Sequence, residues 1–193
     1  MGSLVLKLSP VLQMSRQQFY QLCAVNPDLK LERTAQGELI VMPPTGGETG
    51  KANLSISGQL WLWNESRGLG EAFDSSTGFT LPNGSDRSPD AAWIAAARWQ
   101  TLTTEQRERF VPLCPDFVVE LRSPSDSLPK IQNKMQEYLE NGCQLGWLVD
   151  RQQQQVMLYR PNRNPETLIA PQQVSGEPIL PGFTLNLGKV WGA

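Results

Sequence analysis

Histidine is absent from all 193 residues. That absence removes Ser-His-Asp and Cys-His catalysis, zinc hydrolases built on imidazole, and any histidine acid–base couple. Catalysis, if the chain performs any, must rest on carboxylates, lysines, arginines, hydroxyls or a metal held by oxygen. Cysteine is scarce: Cys23, Cys114 and Cys143 are odd in number and far apart. They read as reduced, mostly buried thiols and indicate neither a disulfide framework nor a zinc site. No apolar run approaches a membrane span, and the opening MGSLVLKLSP lacks the basic-then-apolar layout of a signal peptide. A cytoplasmic address with no membrane partner is therefore expected. A charge excess is missing as well. The net charge of −2 gives no global pull toward nucleic acid, so binding DNA would require a local basic patch.

What is present suits one ordinary folded domain over residues 1–193, with 39% hydrophobic and 19% charged residues. The stretch PTGGETGKANLS imitates a phosphate-binding loop. Counted back from Gly50-Lys51, however, the first glycine of that motif is Thr45, and the hydroxyl residue after the lysine is Ala52. Both ends of the motif fail.

Ser15 is placed to cap a helix that Pro27 ends, and LKLERTAQGELIVMP reads as a hairpin around Gly37. A helix follows to about Ser66, with Ala52, Ile56, Leu60 and Trp63 at core spacing. AAWIAA and DFVVEL are strands. SDSLPKIQNKMQEYLENG is a helix with Ser125 or Asp126 as cap and Gly142 at its end. QLGWLVD and QVMLYRP form a second hairpin. Strand–helix–strand in the middle with hairpins on either side predicts an α/β or α+β fold, a mixed β-sheet flanked by α-helices.

Two carboxylates sit where apolar strands disfavour them: Asp90 leads AAWIAA, and Glu120 lies near the end of DFVVEL. Such groups are usually paired, hydrogen-bonded, protonated or bound to a metal. Asp90 after Ser-Pro is also common turn chemistry, and Glu120 is equally readable as a strand-end glutamate meeting water or an arginine. Arg122 lies two residues beyond Glu120, on the same strand face. Lys134, on the flank of its helix's apolar stripe, is long enough to reach the sheet, although snorkelling into solvent is the ordinary role of such a lysine. Two carboxylates and a cation at neighbouring strand ends suit Mg²⁺, which takes carboxylate and water oxygens and leaves room for phosphate.

The ordered series SPDAAWI, PDFVVELRSPSD, KMQEYLENGCQLGWLVD and LPGFTL resembles the Uma-type restriction endonuclease family, within the PD-(D/E)XK nuclease superfamily. The resemblance implies a restriction-endonuclease-like core and Mg²⁺-dependent (or Mn²⁺-dependent) hydrolysis of DNA phosphodiesters, with a homodimer as one possible assembly. Carried over by position, it makes Asp90 and Glu120 metal ligands and adds the Leu121 carbonyl. The lysine of the motif is replaced by Arg122, which stays protonated and cannot act as a base, though it can contact the phosphate or Glu120. Lys134 takes the lysine's place from the following helix, with Lys130 and Gln132 as alternatives. Glu48 matches the acidic residue that the superfamily often supplies from its first core helix; a first-turn glutamate is equally favoured by the helix dipole. The alternative function is a non-catalytic relative that binds nucleic acid or protein. A carboxylate-and-metal enzyme acting on a smaller phosphate ester is a third reading.

Overall fold

The computed structural model describes residues 3–192. The chain begins with β1 (Leu4–Leu6) and α1 (Arg16–Val25). Ser15 opens α1 through a capping box: its hydroxyl accepts the Gln18 N–H, and the Gln18 side chain accepts that of Ser15. The expected hairpin follows as β2 (Lys30–Arg33) and β3 (Leu39–Met42), turning through Gly37 at φ +82°. Next come α2 (Gly47–Arg67), β4 (Gly70–Asp74), β5 (Phe79–Thr80), β6 (Asp86–Arg87) and β7 (Ala91–Ala95). Two single-turn helices, α3 (Ala96–Trp99) and α4 (Thr104–Arg107), lead to β8 (Phe117–Arg122) and α5 (Leu128–Glu140). The chain closes with β9 (Leu145–Asp150), β10 (Gln155–Tyr159), β11 (Glu166–Ile169), β12 (Gln173–Ser175), β13 (Thr184–Asn186) and α6 (Gly188–Trp191).

The central sheet runs β11-β10-β9-β8-β7-β4. Its one parallel pair is β8 with β9, joined across the sheet face by α5; every other pair in it is antiparallel. A second sheet, β1-β3-β2-β6-β5, carries the N-terminal hairpin, and β12 with β13 form a third. The β1 strand, paired with β3 through Leu4–Leu6, is an addition to the sequence-based expectation. The start of α5 corrects the expected cap at Ser125 or Asp126. Ser127 is its N-cap without a side-chain bond, while the Asp126 carboxylate accepts the Ser123 N–H instead.

Strand alternation divides the interior. Phe117, Val119 and Leu121 of β8 point into the core that holds Ala52, Ile56, Leu60 and Trp63 of α2. Val118 points the other way, into a core with Met135 and Tyr138 of α5. Glu120 shares the parity of Val118, so it emerges beneath α5. Gly146 lets α5 lie close to β9: a Cβ there would come within 2.5 Å of the Met135 methyl.

Candidate active site

Glu120 is buried on β8, and both of its protein donors come from α5. Lys134 Nζ lies 2.7 Å from Glu120 Oε1, and the Tyr138 hydroxyl donates to the same oxygen at 2.9 Å. Lys134 and Tyr138 are four residues apart, hence one above the other on the helix face turned to the sheet. Asp90 stands just before β7, next to β8. Its Oδ2 accepts the Leu121 N–H at 2.8 Å, which fixes it beside Glu120. Asn53 of α2 reaches Asp90 Oδ1 at 3.3 Å, and the Ser57 hydroxyl donates to the Asp90 carbonyl.

A third carboxylate enters from the other sheet. Glu32, 2% exposed on β2, accepts Lys134 Nζ at 2.8 Å and the Ser88 N–H at 2.9 Å on Oε1, and Arg87 at 3.2 Å on Oε2. Arg87 of β6 also grips Glu137 of α5 at 2.6 Å. Lys134 thus lies between Glu32 and Glu120, and β2, β6, β8 and α5 meet at one buried ionic cluster.

The three carboxylates differ electrostatically. Burial pushes Asp90 up, only partly opposed by the positive charge of Lys30 and the Leu121 N–H. Burial also pushes Glu120 up, to about 7: the neighbouring Lys134 works against this, while Asp90 and Glu32 add to it. Glu32 is buried too, but Lys134, Arg87 and the Ser88 N–H outweigh burial and hold it at about 2. For Lys134, burial favours the neutral amine, yet Glu120 and Glu32 overcome it and raise the ammonium above its ordinary value. Lys134 is therefore a fixed cation and a poor proton acceptor at neutral pH.

Asp90, Glu120, Leu121 and Lys134 come together; the other two expected site residues lie elsewhere. Arg122 shares the strand face of Glu120, but Asp150 is its register partner on β9, and the two form an ion pair at 2.5 Å. A directly opposed neighbour is nearer than a residue two positions along the same strand, and Asp150, wholly buried, needs a counter-charge. Glu48, in the first turn of α2, is exposed and faces Arg151 at 3.4 Å. Of the alternatives to Lys134, Lys130 is exposed and Gln132 contacts the Met157 sulfur. Sequence reasoning missed Glu32, Arg87 and Tyr138. Signals for two of them were present: a glutamate in the middle of an otherwise well-patterned hairpin strand, and a tyrosine one turn beyond Lys134.

A hard divalent cation suits this arrangement. Asp90 is half-buried and Glu120 buried, the two are adjacent, burial raises both despite the cations nearby, and the buried Asn53 Oδ1 beside them lacks a hydrogen-bond partner. Among the described residues no group of three or more His, Cys, Asp or Glu forms a metal cage. Two carboxylates with the remaining positions left to water and phosphate is how Mg²⁺ is commonly held.

A mixed sheet with α2 on one face and α5 on the other is the restriction-endonuclease-like fold. Residues 16–188 match the profile of the Uma2 family, described as "Putative restriction endonuclease", and the chain belongs to that family. Its fold is similar to a crystal structure of a "putative nuclease belonging to DUF820" from Anabaena variabilis. The TM-score is 0.71 at 21% identity, over 83% of this chain and 89% of that one. No curated protein matches significantly. Family and fold together support a nuclease-type enzyme. Among the described residues no helix is long and apolar enough to cross a membrane.

Proposed function

We propose that the chain is a Mg²⁺-dependent endonuclease that hydrolyses DNA phosphodiesters at the Asp90–Glu120–Lys134 cluster. The observation that carries this reading is the adjacent pair of half-buried Asp90 and buried Glu120, beside a cation that is itself fixed. Asp90 and Glu120 would hold the metal, with the Leu121 carbonyl as a further oxygen. Both protein donors to Glu120 converge on Oε1, so Oε2 is its oxygen best placed for a cation. When bound, the metal would supply Lewis acidity, acidifying water and neutralising phosphate charge.

The chain's own residues do the rest. Asp90 stays in place because the Leu121 amide and Asn53 hold both of its oxygens. Tyr138 and Lys134 fix the rotamer of Glu120. The Lys134 ammonium, too well stabilised to accept a proton, orients the attacking water and balances charge gathering on the phosphate. Arg122 and Glu48, engaged with Asp150 and Arg151, stay outside this set.

The test is a Mn²⁺ titration of the full chain by calorimetry, alongside plasmid and single-stranded DNA cleavage. Binding that Asp90→Ala abolishes, with cleavage lost in the same variant, supports the reading. A wild-type chain that binds no Mn²⁺ at millimolar concentration and cuts no DNA would instead be a non-catalytic relative. Cleavage of mononucleotide esters but not DNA would place it on smaller substrates.

A further inference from the structure

We propose that Glu32 is a positioning residue for the reaction: it holds the Lys134 ammonium at the site when Glu120 takes up a cation. The inference rests on the metal-dependent reading of Asp90 and Glu120 given above.

The geometry separates two jobs. Glu120 receives Lys134 and Tyr138 on one oxygen and stands next to Asp90. Glu32 stands on the opposite side of Lys134, and its oxygens are filled by Lys134, the Ser88 N–H and Arg87. A divalent cation at Glu120 would repel an ammonium bound to the same carboxylate. Lys134 is a flexible four-carbon chain; with Glu120 as its sole partner it would swing away. Glu32 supplies a second, permanently ionised partner that such a cation does not claim.

Glu32 is itself rigid. Leu31 is anchored in the small N-terminal core, and Arg33 is tied to Asp86 at 2.8 Å, so β2 cannot rotate to withdraw the residue between them. Arg87 is held from its other side by Glu137, one turn beyond Lys134 on α5. The Glu32–Arg87–Glu137 clamp therefore locates α5 and the tip of Lys134 together. Stability alone is a weak reason for so much buried charge, since apolar groups of the same size generally serve at least as well.

The experiment compares wild type, Glu32→Gln, Lys134→Gln and the double variant, with three readouts: kcat and KM for DNA, the Kd of Mn²⁺, and the ¹H–¹⁵N signal of the Lys134 ammonium at fixed pH. Glu32→Gln is expected to lower kcat about 10-fold or more while KM and the Mn²⁺ Kd stay within about twofold. The Lys134 signal should vanish or shift, and Glu32→Gln should cost nothing further in the Lys134→Gln background. Wild-type kcat in Glu32→Gln, or an equal loss in both backgrounds, overturns the proposal. If wild type neither binds Mn²⁺ nor cuts DNA, the nuclease reading has failed on its own; the ammonium signal then decides, and its survival in Glu32→Gln overturns the role of Glu32. Should Glu32→Gln not fold by circular dichroism, Glu32→Asp, which keeps the charge but withdraws it by one methylene, is judged by the same outcomes.

Discussion

Replacing Glu120 by Gln should stabilise the metal-free protein at alkaline pH. The folded carboxyl titrates at about 7 against an ordinary 4.5. Between those values the folded state keeps a proton that the unfolded chain has released. The group's contribution to stability is therefore full below about 4.5 and is lost as pH rises through 7. A shift of that size is worth about 3 kcal/mol at most. The amide resembles the protonated acid in shape, and its oxygen can still accept from Lys134 and Tyr138, but it gives up the ion pair. The expected net gain for Glu120→Gln at pH 8 is thus about 1–3 kcal/mol. For a chain of this size that raises the melting temperature by roughly 2–12 °C, and the gap should close near pH 5. Scanning calorimetry of both proteins from pH 5 to 8, in chelator and then in Mn²⁺, checks it. Mn²⁺ should reverse the order by stabilising the wild type and leaving the variant unmoved. If Glu120→Gln is less stable than wild type at pH 8 in chelator, the ion pair with Lys134 outweighs burial, and the account of Glu120 as a carboxylate raised by burial despite that pair is wrong.

Other consequences can be checked alongside. Asp90→Asn keeps the Leu121 contact but removes a charge that burial disfavours, so Mn²⁺ affinity should fall at least about 10-fold by calorimetry while the melting temperature in chelator at neutral pH does not fall. Arg122→Ala strands the wholly buried Asp150 with the Gln152 and Gln153 amides as its remaining donors, and should cost about 2–4 kcal/mol in urea unfolding while Mn²⁺ affinity is kept. Glu48→Ala removes an exposed contact to Arg151 and should change neither stability, beyond about 0.5 kcal/mol, nor the Mn²⁺ Kd. On the acid side the sign reverses. Glu32, held at about 2, contributes stability that is present above about 4.5 and lost as pH falls toward 2, so Glu32→Gln should flatten the acid limb of the stability profile.

Residues whose environment is set by near neighbours were legible in the sequence. Ser15 as a helix cap, Gly37 in its hairpin, the stripe Ala52–Ile56–Leu60–Trp63 and the strand–helix–strand order of β8, α5 and β9 all follow from capping, turn chemistry and periodicity. So did the oddity of Asp90 and Glu120, because a carboxylate at the edge of an apolar strand stands out in one dimension. Lys134 was visible only as a residue with sufficient reach. The absence of histidine narrowed the chemistry to carboxylates, cations and oxygen-bound metal before any coordinate was known.

The tertiary structure decided the partners. Arg122 could as well have met Glu120; β8 and β9 lie in a register that sets Asp150 directly across from it. Glu48 fell on the exposed side of the first turn of α2, where Arg151 takes it up. Glu32, about a hundred residues from Lys134 in the chain, belongs to the cluster because the N-terminal sheet sets its inner strands β2 and β6 against α5. Periodicity tells which face a side chain occupies. Only the packing of one sheet on another settles which charge it meets there, since burial makes an unpaired charge too costly to leave and any opposite charge within reach will serve.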